Sequence, residues 1–151
     1  MTLVIAAEDP RAADLRALVA ELDAYLASLY PPENNHLLDL DALSAPDVSF
    51  LAARDAGAAA GCAALRRLST GRGEIKRMFV RPAFRGRGVG RALLEAVEMV
   101  ARVRGVSELL LETGVDQPEA IGLYRSSGFE PCGPYGDYRA HPLNLFLRKP
   151  L

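Results

Sequence analysis

The chain has 151 residues, half of them apolar and a quarter charged, with 18 basic against 19 acidic side chains and a formal net charge of −1. That length suits one domain, expected over 1–151, with a proper hydrophobic core, and the near-balance of charge argues against nucleic acid or an acidic membrane as the main partner. Neither the cysteines Cys62 and Cys132 nor any pair of His, Cys or carboxylates has metal-ligand spacing, and no signal peptide or membrane span is legible, so a metal-free cytoplasmic protein with reduced thiols is expected.

Leu3-Val4-Ile5-Ala6 reads as a short apolar strand. Asp9 before Pro10 reads as the start of a helix whose apolar face carries Leu15, Leu18, Val19, Leu22, Leu26 and Leu29, and Pro31-Pro32 ends it. A brief second helix is expected over 37–43. Val48 to Arg54 and Ala58 to Leu68 read as a hairpin turned by Asp55-Ala56-Gly57, although alanine-rich strands run against alanine's preference for helix. Gly71-Arg72-Gly73 turns the chain into an extended run from Glu74 to Val80, stopped by Arg81-Pro82. A long helix follows, with Val89, Leu93, Ala96, Val97 and Val100 on one face and Gly105 closing it. Glu108 to Glu112 reads as a fifth strand, Pro118 to Gly128 as a short helix, and Phe129 to Cys132 and Asn144 to Arg148 as the last strands.

The most informative stretch lies between the fourth strand and the long helix: Phe84-Arg85-Gly86-Arg87-Gly88-Val89-Gly90-Arg91. Glycines at alternate positions allow a sharp turn, and the turn points free N–H groups and the positive end of a helix dipole at one spot. With three arginines beside it, the natural occupant is a phosphate or pyrophosphate. No Gly-Lys-Ser/Thr is present, which excludes a nucleotide triphosphatase loop. A dinucleotide fingerprint would need its third glycine where Arg91 stands.

Arg85-Gly86-Arg87-Gly88-Val89-Gly90 resembles the R/Q-x-x-G-x-G/A signature with which GNAT N-acetyltransferases grip the pyrophosphate of acetyl-coenzyme A. Gln117-Pro118-Glu119-Ala120-Ile121-Gly122-Leu123-Tyr124-Arg125-Ser126-Ser127-Gly128-Phe129 is similar to that family's N-x-x-A-x-x-L-Y-x-x-x-G-F segment, with Gln117 where Asn is commoner. The Tyr-Pro-Pro-Glu, Glu-Ile-Lys-Arg-Met-Phe-Val and Glu-Thr-Gly-x-x-Gln-Pro runs resemble a bacterial subgroup of small acetyltransferases. The resemblance implies an α/β fold with a mixed sheet of six to seven strands, flanked by helices and splayed between the fourth and fifth strands. It implies that Met78, Phe79 and Val80 meet the pantetheine arm and thioester, and that Arg85, Gly86, Arg87, Gly88, Val89, Gly90 and Arg91 hold the diphosphate. Gln117 and Tyr124 complete that set.

The activity implied is acetyl transfer from acetyl-coenzyme A to a primary amine of a small molecule, by direct attack in a ternary complex. A non-catalytic acyl-coenzyme A sensor and a protein acetyltransferase are the alternatives, and a homodimer is left open. Tyr124 is the general-acid candidate, because a phenol with a pKa near 10 nearly matches a departing thiolate. Glu74 is the base candidate, with Glu112, His36 or a water as its rivals. Strand alternation would put Glu74, Lys76, Met78 and Val80 on one face and Ile75, Arg77 and Phe79 on the other. His36, in the polar segment after the first helix, and Tyr25, Tyr30, Tyr135 and Tyr138 flank the expected acceptor pocket, with Arg139 beside them. Lys76, Glu112 and Thr113 are its other expected contacts.

Overall fold

In the computed structural model of the chain, which describes residues 1–34 and 38–151, seven strands form one mixed sheet. They are β1 (Leu3–Ala7), β2 (Val48–Asp55), β3 (Ala58–Ser69), β4 (Arg72–Val80), β5 (Glu108–Gly114), β6 (Glu130–Cys132) and β7 (Asn144–Pro150), in the spatial order β1-β2-β3-β4-β5-β7-β6. Only β4 and β5 run parallel; every other neighbouring pair is antiparallel. Among the described residues four α-helices flank the sheet: α1 (Ala13–Leu29), α2 (Leu40–Leu43), α3 (Val89–Val103) and α4 (Pro118–Ser126). No helix among the described residues is long and apolar enough to cross a membrane.

The sheet is buried on both faces. Leu93, Leu94, Val97 and Ala101 of α3 pack on Leu51, Ala53, Ala63, Leu65 and Ile75. Leu15, Leu18, Val19 and Leu22 of α1 pack on Phe50, Ala52, Ala64 and Phe79 from the other side. Ala52, Ala53, Ala60, Ala63 and Ala64 are fully enclosed, so burial under two helix layers overrides alanine's weak strand preference.

Several boundaries move relative to the expectation. Asp9-Pro10 does not open α1: Asp9 opens a separate turn, its Oδ1 accepting from Arg11 N–H at 2.9 Å, and the helix begins at Ala13. The second helix shrinks to one turn capped by Asp39, which accepts from Ala42 N–H at 2.8 Å. The β2–β3 turn is the pair Ala56-Gly57, both with positive φ (48° and 89°), the backbone that a two-residue hairpin needs.

Two irregularities create the cleft. β4 and β5 pair from Arg72↔Glu108 to Ile75↔Leu111 and no farther, so they part from Lys76 and Glu112 onward. On its other edge β4 carries a bulge: the register with β3 slips between Ala64↔Lys76 and Cys62↔Phe79, and Arg77 takes φ +56°. That extra residue breaks the expected alternation. Met78 and Val80 pack with Ile75 on the α3 side, whereas Arg77 turns to the α1 side with Phe79.

Candidate active site

The mouth of the splay opens into a groove of about 440 Å³, walled by Leu22 and Tyr25 of α1, Met78, Phe79 and Val80 of β4, the loop around Gly86 and Gly88 at the start of α3, and Ala120, Leu123 and Tyr124 of α4. Gly86 and Gly88 hold φ of 75° and 81°, a region that side-chain-bearing residues avoid. A Cβ on Gly88 would meet nothing within 4 Å, so backbone conformation and space for a ligand are what require glycine there. Gly90 is different: a Cβ would lie 2.8 Å from Leu123 Cδ2, so this glycine lets α3 and α4 approach. The first intrahelical bond of α3 runs from Ala92 N–H to Gly88 O at 3.0 Å, leaving the N–H groups of Val89, Gly90 and Arg91 to face the loop.

A throat of about 90 Å³ continues the groove between the parted strands, and a basin of about 940 Å³ lies beyond it. Groove and throat share Leu22, Met78, Gln117 and Tyr124; throat and basin share Asn34, Lys76 and Asn144. The two large cavities therefore meet through the sheet. Residues 15–129 match the profile of the acetyltransferase (GNAT) family. An IAA acetyltransferase of Azospirillum brasilense is 52% identical over 151 residues, 99% of this chain and 98% of that protein. The chain belongs to the GNAT family. A putative acyl-CoA N-acyltransferase structure from Klebsiella pneumoniae superposes with a TM-score of 0.84 at 36% identity, covering 99% of this chain and 97% of that one. The PaiA N-acetyltransferase of Thermoplasma acidophilum, solved in complex with coenzyme A, matches at TM-score 0.76 over the full length of both chains; at 17% identity it shows the fold alone.

Against this GNAT frame, the candidates from the sequence divide by place. Tyr124 is enclosed at the junction of groove and throat, and burial pushes its phenol above the ordinary value of 10.0. The near-match to a thiolate is thus tilted toward keeping the proton on Tyr124. Arg85 turns its Nε to Val80 O (3.0 Å) and lies over the rings of Tyr25 and Phe79, while Arg91 donates to Ser126 Oγ at 2.9 Å. Arg87 lies over Phe84 and lines none of the three cavities. Tyr25 belongs with the groove rather than with an acceptor pocket.

Tyr30, Lys76, Glu112, Thr113 and Gln117 come together in the throat. Glu112 accepts from Asn144 Nδ2 at 2.8 Å. Lys76 joins throat to basin, donates to Tyr138 Oη, and is pushed below its ordinary 10.5 chiefly by burial, with Glu74 and Glu112 opposing. Glu74 is fully buried beneath the basin and lines none of the three cavities. Its Oε2 accepts from Tyr135 Oη at 2.6 Å, while Oε1 has no hydrogen-bond partner among the described residues, Arg66 Nε standing 3.6 Å away. His36 lies outside the described residues. Asn144, Asn34 and Leu22 escaped the sequence reading. Leu22 was legible only as core, and the two asparagines carry no motif.

Proposed function

We propose that the chain is one N-acetyltransferase domain that moves acetyl from acetyl-coenzyme A to a primary amine of a small molecule, both substrates meeting in the throat. The passage from groove to basin through the sheet carries this reading, because it lets a thioester and an amine arrive from opposite sides. The groove fits the cofactor: positive-φ glycines and the unpaired N–H groups of α3 suit a diphosphate, and the wall of β4 freed by the splay offers backbone to a pantetheine arm. Acetyl-coenzyme A supplies the activated acetyl group. The 52% identical IAA acetyltransferase supports transfer to a small molecule.

In this scheme Tyr124 keeps its proton at neutral pH and gives it to the departing thiolate. Glu112, oriented by Asn144 and facing the throat, receives the ammonium form of the amine and takes its proton. Glu74 supports them from below, balancing Lys76 (Nζ at 3.7 Å) and fixing Tyr135. Direct attack also suits the thiols: Cys62 is buried, donates to Arg77 O at 3.2 Å and is pushed up to about 12, and neither cysteine lines the throat. The test is to mix the protein with acetyl-coenzyme A and a panel of primary amines and to follow free thiol together with N-acetyl product by mass. Amine-dependent release is expected in the wild type and absent in Gly88→Val. Tight coenzyme A binding with no release on any amine would leave a sensor.

A further inference from the structure

Tyr30 ends α1 in an extended conformation (φ −134°, ψ 148°) that swings its ring out of the helix and across the cleft. It is 6% exposed, and its Oη accepts from Asp116 N–H at 3.1 Å. The ring rests on Gly114, where an added Cβ would lie 1.8 Å from Oη and 2.1 Å from Cζ. Gly114 shows no positive φ, so the phenol above it, and not its backbone, is what demands glycine. α1 is fastened to the β4 side of the splay by Asp23 to Arg77 and Glu21 to Arg81. Gly114 and Asp116 belong to the β5 side. Tyr30 is therefore a strut between the two lips of the cleft, and it walls the narrow throat that separates two far larger cavities.

We infer that Tyr30 seated on Gly114 sets the aperture of the throat and so determines acceptor specificity, admitting an unbranched primary amine and excluding one branched at the carbon bearing nitrogen. This rests on the acetyltransferase reading above. A methyl group that a close-fitting site cannot accommodate changes kcat/KM by about tenfold or more. Gly114→Ala forces the ring off its seat without altering the cleft's charges. Removing the ring makes that same methyl harmless.

The experiment measures kcat/KM at saturating acetyl-coenzyme A for n-butylamine and its isomer sec-butylamine. Wild type is expected to favour the linear amine by about tenfold or more, and Tyr30→Ala to erase most of that preference. Gly114→Ala is expected to lower kcat/KM for both amines, and Tyr30→Ala/Gly114→Ala to return to the level of Tyr30→Ala. An unchanged preference in Tyr30→Ala, or no rescue in the double variant, overturns the inference while leaving acetyl transfer intact. Failure of the wild type to acetylate either amine also overturns it, and the wider amine panel then decides the fate of the function itself. Should Tyr30→Ala not fold, Tyr30→Val, which clears the ring from Gly114 and keeps an apolar plug at the end of α1, is scored by the same ratio.

Discussion

Tyr124 and the two glutamates divide the proposed chemistry by what surrounds each. A phenol held in an enclosed site above its ordinary pKa stays protonated at every pH where the amine can attack, and is a weaker acid toward the thiolate for it. Tyr124→Phe keeps the ring's edge contact with Phe129 and removes only the hydroxyl (ring centroids 5.8 Å apart). It is expected to lower kcat about a hundredfold with coenzyme A affinity unchanged, the usual scale for loss of a general acid. Glu112→Gln is expected to cost a similar factor in kcat/KM for the amine. Glu74→Gln, which leaves the throat lining intact, is expected to act mainly on melting temperature. A Glu74→Gln variant that folds normally yet loses turnover as Glu112→Gln does would move the base to Glu74. The sequence singled out both carboxylates. The proposed division between them rests on the parting of β4 from β5 just beyond Glu74, which a strand pattern does not encode.

Among the elements, β4 carries the most consequence. Strict alternation predicts Met78 and Val80 on the face of Glu74. The bulge at Arg77 sends them to the α3 side, where they wall the groove, and brings Arg77 and Phe79 to the α1 side. Nothing in Glu-Ile-Lys-Arg-Met-Phe-Val marks a left-handed arginine, since the conformation is imposed by contacts made far away in sequence. Arg77 bonds Asp23 of α1, and its Nε and Nη2 reach Leu38 O at 3.0 and 2.8 Å. The glycine loop and α3, by contrast, were legible because turn chemistry and helical periodicity are local. Arg77→Ala is expected to cost about 2–3 kcal/mol in urea unfolding, the scale of charge-assisted hydrogen bonds lost from a buried site. Arg77→Gly should lose about 1 kcal/mol less, because glycine relieves the φ of +56°. Equal losses for the two would show that the bulge stores no strain.

The molecule as a whole combines an ordinary layered core with a cluster of buried protonated groups around the cleft. Burial raises the phenols of Tyr124, Tyr135 and Tyr138 above 10.0 and the thiol of Cys62 from 9.0 to about 12. The folded chain thus holds protons that the unfolded chain releases above about pH 9–10. Stability contributed by these groups is complete below that range and falls as pH climbs through it. Lys76 has the opposite sign: its folded pKa lies below 10.5, so between the two values rising pH favours the fold. Four groups outweigh one. Melting temperature is expected to hold up to about pH 9 and to drop above pH 10, and a flat profile to pH 11 would show that these side chains are solvated.

The proposed direct attack makes one demand on the kinetics: both substrates occupy the cleft at once, and neither cysteine is among the described residues of the throat to carry acetyl between them as a thioester. Initial velocities over a grid of acetyl-coenzyme A and an accepted amine measure this directly. Direct attack predicts double-reciprocal lines that intersect, with free thiol and N-acetyl amine formed one for one. Parallel lines, with thiol released in a burst before amine is added, would mean an acetyl-enzyme and would contradict it.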